Sequence, residues 1–146
     1  MNVEWSKWIC RFLRFGFGGL LIFASLNKIP HPYEFATLIE NYRVLGTGLS
    51  RWVAVWSPYL ELGIGLLLIA GIWLDAASVV NAGLMAVFLV LVIQAFIRHL
   101  DIQCGCFSVE STGVIGFVKV LENVGYLAGS LLLVYFVQRI KLMSKT

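Results

Sequence analysis

The residues in this chain best suited to chemistry are Cys104 and Cys106, held one residue apart by Gly105 in the run Asp101, Ile102, Gln103, Cys104, Gly105, Cys106, Phe107. A glycine between two thiols lets the backbone reach the angles that closing so small a ring demands. The resulting bond is a poor staple. Its loop is too short to remove much entropy from the unfolded chain, and its strained geometry makes it easy to reduce. What remains is thiol and disulfide exchange. Exchange needs a thiolate, which Arg98 or His99 nearby favours and Asp101 opposes. Metal capture is the competing chemistry, since His31 and His99, the chain's two histidines, fall on the same side as the cysteines. Two thiolates and two imidazoles make a tetrahedral set. The spacings match no zinc motif, so no metal is expected.

Long apolar runs flank this polar segment. The 146 residues are 60% hydrophobic and 13% charged, with a mean hydropathy of +0.87, too apolar for the surface of a small soluble globule. Four runs, about 8–27, 52–74, 76–97 and 114–137, reach the roughly 20 apolar residues that a bilayer crossing takes. The reading is therefore a single membrane-embedded domain over 1–146, all-α, polytopic, a bundle of four transmembrane helices in contact with the lipid bilayer. Lys7, Arg11 and Arg14 give the first run the basic start of a signal peptide, but no clear small-residue cleavage site follows it. It is kept as a membrane helix. A net charge of +3, split between the two ends, argues against nucleic acid as a partner.

Between the first two runs, Pro30 and Pro32 break any helix. Phe35, Leu38, Ile39 and Tyr42 then recur at helical spacing, predicting a short amphipathic helix in the first outer loop. Gly46, Thr47, Gly48 and Ser50 read as a flexible link, Pro58 as a kink near the entry of the second crossing, and Asp75 as the whole turn into the third. Gly16, Gly18 and Gly19 let a neighbouring helix come close. Lys and Arg cluster at both termini, which places the termini in the cytoplasm and Cys104 and Cys106 on the exterior or periplasmic side, where disulfides persist. Cys10 sits at the other end, as a bystander.

Ionisable groups inside the membrane runs mark either a helix lock or a site. Glu61 lies nine residues into the second run, and Lys119 and Glu122 lie five and eight into the fourth, about 8 to 14 Å below the outer surface. The spacing predicts a Glu61 to Lys119 pair, with Glu122 and Asn123 completing a network beneath the cysteines. Gln94 and Arg98 share a face in the same half of the bundle. Lys28 reaches either out to water or into the site.

The run Ser25, Leu26, Asn27, Lys28, Ile29, with Pro32, Phe35 and Tyr42, then Pro58, Leu60, Glu61, Gly63 and Gly65, then Cys104, Gly105, Cys106 and Phe107, resembles the MauE/DoxX family of redox-associated membrane proteins. The resemblance implies a four-helix bundle of the bacterial inner membrane. It also implies a role in forming disulfides during maturation of methylamine dehydrogenase, with a periplasmic thioredoxin-like partner. The architecture is similar to that of DsbB and vitamin K epoxide reductase, so a quinone is the cofactor that this likeness implies. Two departures qualify the carry-over. Ser108 stands where the family often has glycine, and one cysteine pair replaces the two that DsbB-like oxidases use. The second relay step then lies on a partner, or electrons do not reach quinone here. The alternative is a non-catalytic assembly factor, or a DoxX-like small subunit of a quinone-linked oxidoreductase, whose cysteines only shape a loop.

Overall fold

The computed structural model describes residues 3–44, 46–98 and 117–143, and every regular element among them is an α-helix. α1 spans Val3–Lys28, α2 Pro32–Asn41, α3 Thr47–Ala70, α4 Leu74–Ile97 and α5 Phe117–Met143. α1, α3, α4 and α5 are long and apolar enough to cross a membrane, as their composition predicts, and α2 is the short helix between the first two. Large apolar side chains such as Phe12, Phe23, Leu66 and Val90 point outward, a surface that implies contact with lipid.

The sequence explains where these helices start and stop. Pro32 opens α2 at a position where its missing N–H costs nothing. Phe35, Ala36 and Leu38 of α2 bury themselves on Ala54 of α3. α3 begins before the predicted position. Residues 47–50 form its first turn rather than a flexible link, and the Ser50 hydroxyl donates to the Gly46 carbonyl at 3.1 Å. α3 stays helical through Pro58, which leaves the Ala54 carbonyl without its usual donor.

The turn into α4 is not Asp75 but residues 71–73. Gly71 takes a left-handed φ of 79° and Trp73 one of 48°. Asp75 belongs to the first turn of α4, where a carboxylate suits the positive end of the helix. Hydropathy hides this turn because Ile72 and Trp73 are themselves apolar. Arg14 of α1 closes the end of α3, its Nε donating to the Leu68 carbonyl at 2.9 Å and its Nη2 to that of Ile69 at 3.2 Å.

α1 and α3 pack closely at Gly18 and Gly65. A Cβ on Gly65 would come 2.9 Å from the Gly18 carbonyl oxygen, so the backbones meet directly. Below and beside this crossing, Phe17, Leu21, Ile64, Leu68, Met85 and Leu133 form the core of the four long helices. Two contacts define the ends of the bundle. Lys141 of α5 bonds Asp75 of α4 at the hairpin end. At the α2 end, Gln94 of α4 donates its Nε2 to the Tyr42 carbonyl at 3.3 Å. α4 therefore finishes, and α5 begins, at the α2 end, and residues 99–116 join them.

Candidate functional site

The site grows from two charged residues placed by different helices. Lys28 is the last residue of α1 and Glu61 lies within α3, and both are fully buried. Lys28 Nζ donates to Glu61 Oε1 at 2.8 Å and to Oε2 at 2.9 Å. The same ammonium lies 5.0 Å from the centroid of the Phe35 ring on α2 and 5.3 Å from that of Phe88 on α4. One side chain from α1 thus meets α3 through charge, and α2 and α4 through the faces of aromatic rings.

Geometry explains why Lys28 turns inward. The chain folds over at residues 29–31, with the His31 amide bonded to the Lys28 carbonyl at 3.1 Å. α3 reaches past the end of α1. From Thr47 to Glu61 it climbs about 21 Å, and α2 packs on Ala54 halfway along, which brings Glu61 level with Lys28. Taking either charge into an apolar interior alone costs several kcal/mol, a penalty that bidentate pairing and the two ring faces offset. A paired amine and carboxylate hold a proton between them away from water. Among the described residues this is the ion pair with both side chains fully buried.

The predicted Glu61 to Lys119 pair is not what the structure contains. Lys119 Nζ bonds Glu122 Oε2 at 2.9 Å within α5, and the two side chains are 34% and 39% exposed. They belong to the first turns of the described part of α5, nearer the bundle end than a count from residue 114 suggests. Asn123 is buried, but its amide turns back to the Lys119 carbonyl at 2.8 Å. Arg98 caps α4 in an exposed position, and Gln94 holds the end of α2 rather than joining the pair. His31 stands 3.7 Å from Glu34 on the surface. Cys104, Cys106, His99 and Asp101 lie outside the described residues. Cys10 is a free thiol buried in the core.

Sequence reading missed the partners of Lys28. Phe35 was legible only as part of the apolar face of α2, because the proline break between it and Lys28 removes any common helical register. Phe88 carried no signal, since one phenylalanine in an apolar run looks like any other. Lys28 spends two of its three N–H donors on the oxygens of Glu61, with the rings of Phe35 and Phe88 beside the ammonium.

Residues 6–136 match the family model described as Methylamine utilisation protein MauE, a stretch that runs from α1 to near the end of α5. The chain belongs to the MauE family. A curated MauE, Methylamine utilization protein MauE of Paracoccus denitrificans, is 32% identical over 105 residues, covering 71% of this chain and 56% of that protein. The protein of the same name from Methylorubrum extorquens is 29% identical over 107 residues, covering 73% and 58%. The chain thus spans less than three fifths of the length of these MauE relatives by match. No solved structure matches it. Lys28, Glu61, Cys104 and Cys106 all fall within the region matched to MauE.

Proposed function

We propose that this MauE protein exchanges thiol and disulfide forms at Cys104 and Cys106 with a thioredoxin-like partner, in support of methylamine utilisation. The exchange takes place on the periplasmic face of the bacterial inner membrane, with both termini in the cytoplasm. A thiolate on one protein attacks a sulfur of the disulfide on the other, a mixed disulfide forms, and the second thiol releases it. Two electrons and two protons pass from the dithiol to the disulfide, which balances the step without a further reactant.

The observation that carries this reading is the fully buried Lys28–Glu61 pair at the α2 end of the bundle, the end where residues 99–116 join α4 to α5. Ionisable groups are kept inside a membrane chiefly where a site or proton path needs them, and thiol exchange moves protons with electrons. The orientation draws support from Lys7, Arg11, Arg14, Arg139 and Lys141, all at the hairpin end.

Replacing Cys104 or Cys106 singly by serine leaves one thiol with no resolving neighbour. The expected outcome is a mixed disulfide with the partner, seen as a reductant-sensitive band, and a shift in the partner's oxidation state. If both variants leave the partner unchanged, the exchange reading is wrong. Lys28 also ties four helices together, an arrangement that favours an assembly role. Co-purification of the partner with no change in its thiol state would select that second reading.

A further inference from the structure

Asn81 of α4 is fully buried, and among the described residues neither its Nδ2 nor its Oδ1 has a hydrogen-bond partner. Ala77 and Met85, four residues to either side, belong to the apolar core, so Asn81 shares their inward face. Phe88, seven residues further on, meets the Lys28 ammonium from that same face. The turn at residues 71–73 sets the depth. From residue 72, Glu61 lies 11 residues back along α3 and Asn81 9 residues on along α4, so the two differ in depth by about 3 Å. An amide with nothing to bond thus stands nearly level with a buried carboxylate on the helix across the turn.

What such an amide takes is water. A buried polar group that no protein atom satisfies is commonly met by a water molecule, which needs about three polar contacts to be held. Those contacts are present. The Asn81 Nδ2 donates, its Oδ1 accepts, and each Glu61 oxygen keeps a lone pair beyond the one that Lys28 takes. Polarity also continues toward the hairpin end. Ser78, three residues before Asn81, is fully buried, and its hydroxyl donates to the Asp75 carbonyl at 3.1 Å, which leaves its oxygen able to accept. Asp75 is itself half-exposed. Toward the α2 end, by contrast, the ammonium of the pair is flanked by the rings of Phe35 and Phe88.

We propose that Asn81 holds water beside the Lys28–Glu61 pair, and that this water enters from the hairpin end past Asp75 and Ser78. The pair then has a route for protons to that end of the bundle. The water comes and goes, because Ala77 and Met85 on either side of it offer no hydrogen bond, so replacing Asn81 by leucine still stabilises the fold. Its presence does not depend on exchange at Cys104 and Cys106, and the test does not read them. Met85 is the reporter, one turn from Asn81 and 3% exposed. Brief X-ray exposure of the full chain in mild detergent turns water into hydroxyl radicals where it lies, and a thioether touching that water becomes a sulfoxide, read by mass spectrometry. In the wild type Met85 is oxidised although it is buried. Asn81→Leu lowers the Met85 rate about tenfold, the weight of one hydrogen bond on the occupancy of the water. It leaves Met143, which is 38% exposed, as it was. Ser78→Ala lowers the Met85 rate to an intermediate degree. Asn123→Leu, which removes a buried amide nearer the α2 end, changes nothing. A variant that unfolds exposes Met85 and raises its rate, so a fall does not come from misfolding. The proposal is overturned if Asn81→Leu or Ser78→Ala keeps the wild-type rate, or if Asn123→Leu lowers it as much as Asn81→Leu.

Discussion

Lys28 and Glu61 carry the residue-scale claim, and their energetics are testable by a double-variant cycle. Removing one partner leaves the other charge buried and alone, so Lys28→Met and Glu61→Gln should each lower stability by about 3–5 kcal/mol. Removing both charges together, as Lys28→Met with Glu61→Gln, should cost less than either single change. Thermal unfolding in one detergent reads all three, and additive losses would show that the two groups do not depend on each other. Asn81 makes a contrasting case. Its amide is fully buried, and among the described residues neither its nitrogen nor its oxygen has a hydrogen-bond partner. Relieving an unmet polar group gains about 1–3 kcal/mol, so Asn81→Leu should raise the unfolding midpoint, and a fall would contradict that account. The sequence made Glu61 legible as an acid at membrane depth, but not its partner. A depth count treats every helix as starting at the interface, whereas α3 starts well beyond the end of α1, and that offset matches Glu61 with Lys28 instead of Lys119.

Between α1 and α3, backbone meets backbone at Gly18 and Gly65. A larger side chain has no space at Gly65, and overpacking of this kind costs about 1–3 kcal/mol. Gly65→Leu should therefore destabilise the α1 to α3 contact, while Gly63→Ala, where a Cβ meets nothing within 4 Å, should leave the unfolding midpoint nearly unchanged. Equal effects would mean that the crossing lies elsewhere. The small residues of α1 were readable as a packing signal, but which of the three glycines touches another helix was not. Gly18 meets α3, whereas Gly16 and Gly19 meet nothing. The turn at 71–73 was hidden for a related reason. Membrane hydropathy reads composition, and a turn built from glycine, isoleucine and tryptophan is as apolar as the helices it joins. α2 was legible nearly to the residue, because a proline start and a two-sided pattern mark a short surface helix even without tertiary context.

For the whole molecule, four crossings were legible in four apolar runs each long enough for a helix to span a bilayer, a helix being able to satisfy its own backbone in lipid. The resemblance to MauE was legible in the Cys-Gly-Cys-Phe run and in the residues around Lys28 and Glu61, and the match over residues 6–136 bears it out. Cys104 and Cys106 remain the chemistry on which the proposed function turns. Both should meet the compartment outside the cytoplasm and change redox state with the partner. The direct measurement is mass-shift alkylation of intact cells with a membrane-impermeant maleimide, before and after mild reduction, in a chain with Cys10 replaced by serine. The account predicts two added masses after reduction, and fewer before it in proportion to the pair that is closed. Labelling that requires permeabilised cells, or that is the same with and without reductant, would contradict it.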